Sequence, residues 1–197
     1  MNNVNGKAMN RDMLLSLFET LNTKLVEKDI EADMFLVGGG AMALAYDQQR
    51  MTTDLDGIFQ PANELRQIID EISVEKKLHP DWMNDAAKGF LLGNDKNAKD
   101  VVKLSNLNVQ VPSPEYLLAM KTTSLRASDR KDIMKLSEIC GFNSAKEVLD
   151  NALKHVPTST MIPIAARYKL EEIFNDFKPR NITIGLNNSL SNSRLNR

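Results

Sequence analysis

The chain has 197 residues, 42% of them hydrophobic and 26% charged, which leaves room for one ordinary domain, or a small domain with a helical annex, around a sizeable core. A formal net charge of -1 removes any whole-molecule case for nucleic-acid binding and leaves only local basic patches. One cysteine, Cys140, excludes an internal disulfide framework and points to a reducing compartment.

Met9–Lys28 places Leu14, Leu17, Phe18, Leu21 and Leu25 at three- and four-residue steps behind Asn10, the pattern of a capped amphipathic helix. Met34-Phe35-Leu36-Val37 is a short apolar run stopped by Gly38-Gly39-Gly40, and helix formers follow from Ala41 to Asp47. The expectation there is a buried strand, a glycine turn and a helix. Thr52–Phe59 predicts the next strand, with Leu55 on one side, Asp54 and Asp56 on the other, and Pro61 ending it. Leu65, Ile68, Ile69 and Ile72 space a helix over Asn63–Leu78, whereas His79–Asp100 has no clear period and reads as loop with short elements. Val101–Leu104 and Leu107–Val111 suggest a hairpin around Ser105-Asn106.

Ser113-Pro114-Glu115 combines a cap, a proline at the first position and an acid in the first turn, so a helix is expected from there to about Ala127. Ser128-Asp129 starts another that ends near Gly141, Ser144-Ala145-Lys146-Glu147 is a capping-box pattern opening a third, and Pro163 opens a fourth running to about Phe177. The expected fold class is α/β or α+β: a small mixed β-sheet with flanking helices over 1–112, then a helical C-terminal portion over 113–177. Residues 178–197 are rich in Asn and Ser and hold four basic residues and no acid, which reads as a flexible tail or partner-binding segment. No stretch approaches the roughly 20 apolar residues of a membrane span, and the asparagine-rich start does not resemble a signal peptide. Cytoplasmic localisation without membrane association is the expectation.

The strongest chemical signal is Asp54-Leu55-Asp56. Carboxylates at i and i+2 of a strand point the same way, about 6–7 Å apart at their bases. That spacing suits two oxygens converging on one hard cation that also binds phosphate oxygens. The plainer reading is the solvent face of an edge strand. Gly38-Gly39-Gly40 lets backbone approach a phosphate at a helix start, or is only a tight turn. Gly38, Gly40 and Ala43 also fit a dinucleotide-binding G-x-G-x-x-A fingerprint. That pattern expects one acid at a strand end and a longer alternation of strands and helices than this chain has. His79 and His155 stand apart without ligand spacing, Trp82 reads as a core anchor or, with Asn84 and Asp85, as pocket lining, and Cys140 before Gly141 reads as buried rather than nucleophilic.

Phe35-Leu36-Val37-Gly38-Gly39-Gly40-Ala41, followed by Arg50-Met51-Thr52-Thr53-Asp54-Leu55-Asp56, resembles the glycine-rich turn and D-x-D strand of the polymerase-β-type nucleotidyltransferase superfamily. Leu117-Leu118-Ala119-Met120-Lys121 and Arg130-Lys131-Asp132-Ile133 resemble the lysine helix and acidic helix of one branch, which includes abortive-infection toxin-like nucleotidyltransferases. The resemblance covers roughly Asp33 to Leu136. It implies Asp54 and Asp56 as ligands of Mg²⁺ or Mn²⁺, and Gly38 and Gly39 as contacts to a nucleoside triphosphate. Phosphate contacts would come from Arg50, Thr52 or Lys121, with Asp132 as a third catalytic residue near metal or substrate. It further implies an RNA or protein acceptor and an antitoxin-like protein partner. Two positions depart from the superfamily pattern. Gly40 and Ala41 stand where a serine is usual, and Leu107–Val111 carries no third strand carboxylate. A non-catalytic binding protein on the same scaffold, acting through its helical half, is therefore the alternative expectation.

Overall fold

The computed structural model describes residues 6–124, 126–157 and 162–176; the tail expected over 178–197 lies outside them. Helix α1 (Arg11–Glu27) starts where Asn10 accepts a hydrogen bond from the Met13 N–H and buries Leu14, Leu17, Phe18, Leu21 and Leu25. Strand β1 (Ala32–Val37) follows and runs without a loop into α2 (Gly38–Ala41), which passes into a π-helical segment, Met42–Tyr46. The expected glycine turn is made at Gly38, which has φ +64°, and it is fused to the helix start with no loop between them. A side chain at Gly40 would collide with Leu55 Cδ2, so the first helical turn can pack directly on the next strand.

Strand β2 (Leu55–Gln60) lies antiparallel to β1, and the cis Gln60–Pro61 bond leads into α3 (Ala62–Lys76). The strand starts three residues later than its alternation suggests. Thr52 exchanges both backbone hydrogen bonds with Met9 instead, at 2.7 and 3.0 Å, and the chain bends at Thr53 before meeting β1. The aperiodic stretch after α3 holds β3 (Met83–Asn84) and a 3₁₀ turn (Ala86–Phe90). The expected hairpin is formed by β4 (Lys99–Lys103) and β5 (Leu107–Val111), with a bulge between Asp100 and Val102. The five strands order as β3-β2-β1-β5-β4, with the β1–β5 and β2–β3 pairs parallel and the β1–β2 and β4–β5 pairs antiparallel.

The period of two sorts the strand residues. Met34, Leu36, Leu55, Phe59, Leu107 and Val109 join the main core with the apolar stripes of α1 and α3. Phe35, Asp56, Ile58, Asn108 and Gln110 stand on the opposite face. Four helices complete the fold: α4 (Pro114–Ser124), α5 (Arg130–Cys140), α6 (Ala145–His155) and α7 (Ile164–Asp176). Helix α4 is buried almost all round from Tyr116 to Thr122, as expected of a central helix packed by α5 and α6. It stops at Ser124, three residues before the expected end. The Ser144–Glu147 capping box forms, with Ser144 accepting from the Glu147 N–H and Glu147 accepting from Asn143 and Ser144. Sheet and helices share one hydrophobic cluster that reaches from Met9 to Ile173. Among the described residues no helix is long and apolar enough to cross a membrane.

Candidate functional site

The end of β1, the start of α2 and the start of β2 meet at one point, where Val37 pairs with Asp56. Asp54 sits one residue ahead of β2, its backbone carbonyl held by the Thr52 hydroxyl at 2.9 Å. Asp54 and Asp56 flank the buried Leu55, so both turn to the open face and both line a cavity of about 540 Å³. Gly38 adopts φ +64°, and a Cβ there would lie 3.2 Å from Asp56 Oδ2. Glycine therefore serves twice: it takes a left-handed conformation and leaves room for the carboxylate.

Burial raises the pKa of Asp56 above the ordinary carboxylate range, and the neighbouring charge of Asp54 raises it further; Asn84, Arg126 and Lys121 act in the opposite sense. Two half-buried acids that repel one another favour a cation between them. Among the described residues no group of three or more His, Cys, Asp or Glu could hold a metal. The pair can supply one or two carboxylates to a cation and leaves the rest of its coordination shell to other donors.

The opposite wall is built by α4 and the turn after it. Lys121 is 6% exposed, and its Nζ lies 2.7 Å from Asp129 Oδ1 and 2.8 Å from Asp132 Oδ2. Arg50 grips the same Asp132 carboxylate, Nε to Oδ1 at 3.0 Å and Nη2 to Oδ2 at 3.4 Å, and donates from Nη1 to the Met51 carbonyl. The structure thus brings Gly38, Asp54, Asp56 and Lys121 into the cavity wall, and not Gly39, Arg50, Thr52 or Asp132. The reason is steric and electrostatic. Gly39 faces Thr52 Oγ1, Thr52 spends its hydroxyl on Asp54, and Asp132 is 2% exposed between two cations.

Asp129, Asn84 and Arg126 stand in the wall without having been singled out as site residues by the sequence. Asp129 stands one turn before Asp132 on the same side, a spacing that a solvated helix start shows equally. Asn84, which acts on Asp56, is legible only as a candidate pocket residue beside Trp82, and the exposed Arg126 falls at the end of an expected helix with nothing to mark it. Trp82 is a core anchor, 1% exposed, with its indole N–H donating to the Ile69 carbonyl. His155 packs edge-on against Tyr116, and burial pushes the half-buried Cys140 thiol up to about 11, away from nucleophilic use.

A family model described as "Nucleotidyltransferase of unknown function (DUF6036)" matches residues 12–178. The chain belongs to this family. The match takes in every element from α1 to α7, so the family defines sheet and helical half together. Among solved structures, an antigenic nucleotidyltransferase-like protein from Paracoccidioides brasiliensis is similar, at 14% identity and a TM-score of 0.45, covering 86% of this chain and 95% of that one. No curated protein matches the sequence.

Proposed function

We propose that this member of the nucleotidyltransferase family moves a nucleotidyl group from a nucleoside triphosphate to an acceptor, with release of pyrophosphate and with Mg²⁺ or Mn²⁺ held by Asp54 and Asp56. The observation that carries the reading is the convergence of both carboxylates in one cavity against Gly38, with Asp56 kept above its ordinary pKa. When bound, the ion neutralises phosphate charge and polarises the transferred phosphorus.

The protein's own groups divide the remaining work. Gly38 leaves the Asp56 carboxylate space beside the backbone. Lys121 presents a fixed positive charge to the triphosphate, with Asp129 and Asp132 holding its ammonium in place. Arg50 and Asp132 are positioning residues, because they reach the cavity only through Lys121. Arg126 is a further cation for the phosphates at the open side. An RNA or protein acceptor and a neutralising, antitoxin-like protein partner belong to the same proposal. The second reading, a binding protein without catalysis, draws on β5. There Asn108 and Gln110 stand on the open face without a carboxylate, and Gln110 donates to Asp100 at 2.8 Å.

Thermal melting with Mg²⁺, nucleoside triphosphate and both separates the two readings. Transfer predicts a joint shift larger than the sum, since each ligand completes the other's site. Labelled nucleotide should also pass to RNA or protein in an extract of total cellular macromolecules. Additive shifts with no label transferred would leave the binding reading.

A further inference from the structure

The segment over residues 84–95 crosses the open face of the sheet as a strap fastened on both sides. On one side the Asp85 carboxylate takes Arg66 and, at 2.6 Å, Lys88. On the other, Tyr116 Oη accepts from the Leu92 N–H and donates to the Gly93 carbonyl, each at 2.8 Å. Asp95 there accepts from both the Ser113 N–H, at 2.6 Å, and its hydroxyl, at 2.9 Å. Ala87, Leu91 and Leu92 sink into the small cluster with Val37, Tyr116 and Met120. Phe90 does not. It is 56% exposed and lines the cavity, beside Gly89, where an added Cβ would meet nothing within 4 Å.

The cavity is consequently two-sided. The sheet contributes Gly38, Asp54 and Asp56 to its lining, and the strap and α4 contribute the apolar Ala87, Phe90, Leu117 and Met120. A nucleoside triphosphate has the same division, with a charged tail and a flat base whose faces are apolar. The two polar lining residues of the strap itself, Asn84 and Asp85, are engaged inside the protein. Asn84 Oδ1 accepts from the Ala86 N–H at 3.0 Å, its Nδ2 donates to the Asp81 carbonyl at 3.4 Å, and Asp85 is ion-paired.

We propose that Phe90 is the stacking platform for the base of the triphosphate, and that the site holds the base by its face and not by its edge. The proposal rests on the nucleotidyltransferase reading above. Every base offers a π-face, so stacking on an aromatic ring is tolerant of sequence. The four nucleoside triphosphates are expected to bind within about tenfold of one another, because no edge contact separates them.

Titration calorimetry of the Mg²⁺ complexes of the four nucleoside triphosphates and of inorganic tripolyphosphate tests this on the parent, Phe90→Ala and Phe90→Trp, with circular dichroism as the fold check. Phe90→Ala should lose roughly tenfold or more on every nucleotide and nothing on tripolyphosphate. Phe90→Trp should bind as the parent does, and its added fluorescence should fall with nucleotide but not with tripolyphosphate, against the constant signal of buried Trp82. A silent Phe90→Ala, an equal loss on tripolyphosphate, or a preference above about a hundredfold for one base would overturn the stacking while parent binding of tripolyphosphate keeps the parent reading. If the parent binds neither nucleotide nor tripolyphosphate, both fall together.

Discussion

Two pairs of aspartates, one in the cavity wall and one at and behind it, stand under opposite conditions. Asp129 and Asp132 are 7% and 2% exposed and touch cations of the chain itself, Lys121 and Arg50. Asp54 and Asp56 are half-buried, stand side by side, and among the described residues have no ion-pair partner. The first pair is internally neutralised and belongs to the stability of the fold. The second is left with mutual repulsion, which an outside cation would relieve. A carboxylate's neighbours, not its presence in a motif, decide which kind it is.

The contrast is broken most sharply by removing charge. Asp54→Asn and Asp56→Asn should each lower labelled-nucleotide transfer by on the order of a thousandfold, the loss expected when a metal worth several kcal/mol is no longer held. Their urea midpoints should stay level or rise, because the amide removes repulsion and keeps the shape. If either variant loses activity only by unfolding, or transfers as well as the parent, the pair is a structural face.

The same chemistry applied to the other pair should do the reverse. Asp132→Asn strands Arg50 and half of the Lys121 charge, and Lys121→Ala strands two buried aspartates. Losing one member of a buried ion cluster costs about 3–5 kcal/mol, so urea unfolding should show the larger stability losses here. Midpoints within experimental error of the parent would mean that the cluster is solvated in solution and that Asp129 and Asp132 do not hold Lys121 in place.

The smallest effect is in the pH dependence. Asp56 holds its proton to higher pH in the folded chain than in the unfolded one. Between those two pKa values the folded state binds more protons, so the free energy of unfolding falls as pH rises through the window. Cation affinity moves oppositely and grows as Asp56 ionises. In Asp54→Asn the Asp56 midpoint, followed by carboxyl carbon NMR, should fall toward the ordinary value yet stay above it, because burial is the larger cause and remains. A midpoint unmoved by the substitution would show that the two carboxylates do not sense each other.

What could be read without the fold was local. The helix stripe of α1, the Asn10 and Ser144 caps, the β4–β5 hairpin and the alternation around Leu55 each depend on residues a few positions apart, so the chain's own periodicity reports them. The pointing of Asp54 and Asp56 to one face follows from the same two-residue period. The glycine run is local in the same way: Gly38 takes the left-handed conformation between strand and helix that glycine adopts readily. Tertiary structure alone decided which charges meet. Arg50 and Asp132 are 82 positions apart, and nothing in either neighbourhood records that packing α5 beside the segment after α2 brings them to 3.0 Å. The same packing draws Lys121 away from solvent and onto Asp129 and Asp132, and folds the aperiodic strap over the sheet so that Phe90 faces the cavity. Sequence periodicity sets the face of an element on which a side chain stands; only the arrangement of elements sets the dielectric and the partners that decide its charge.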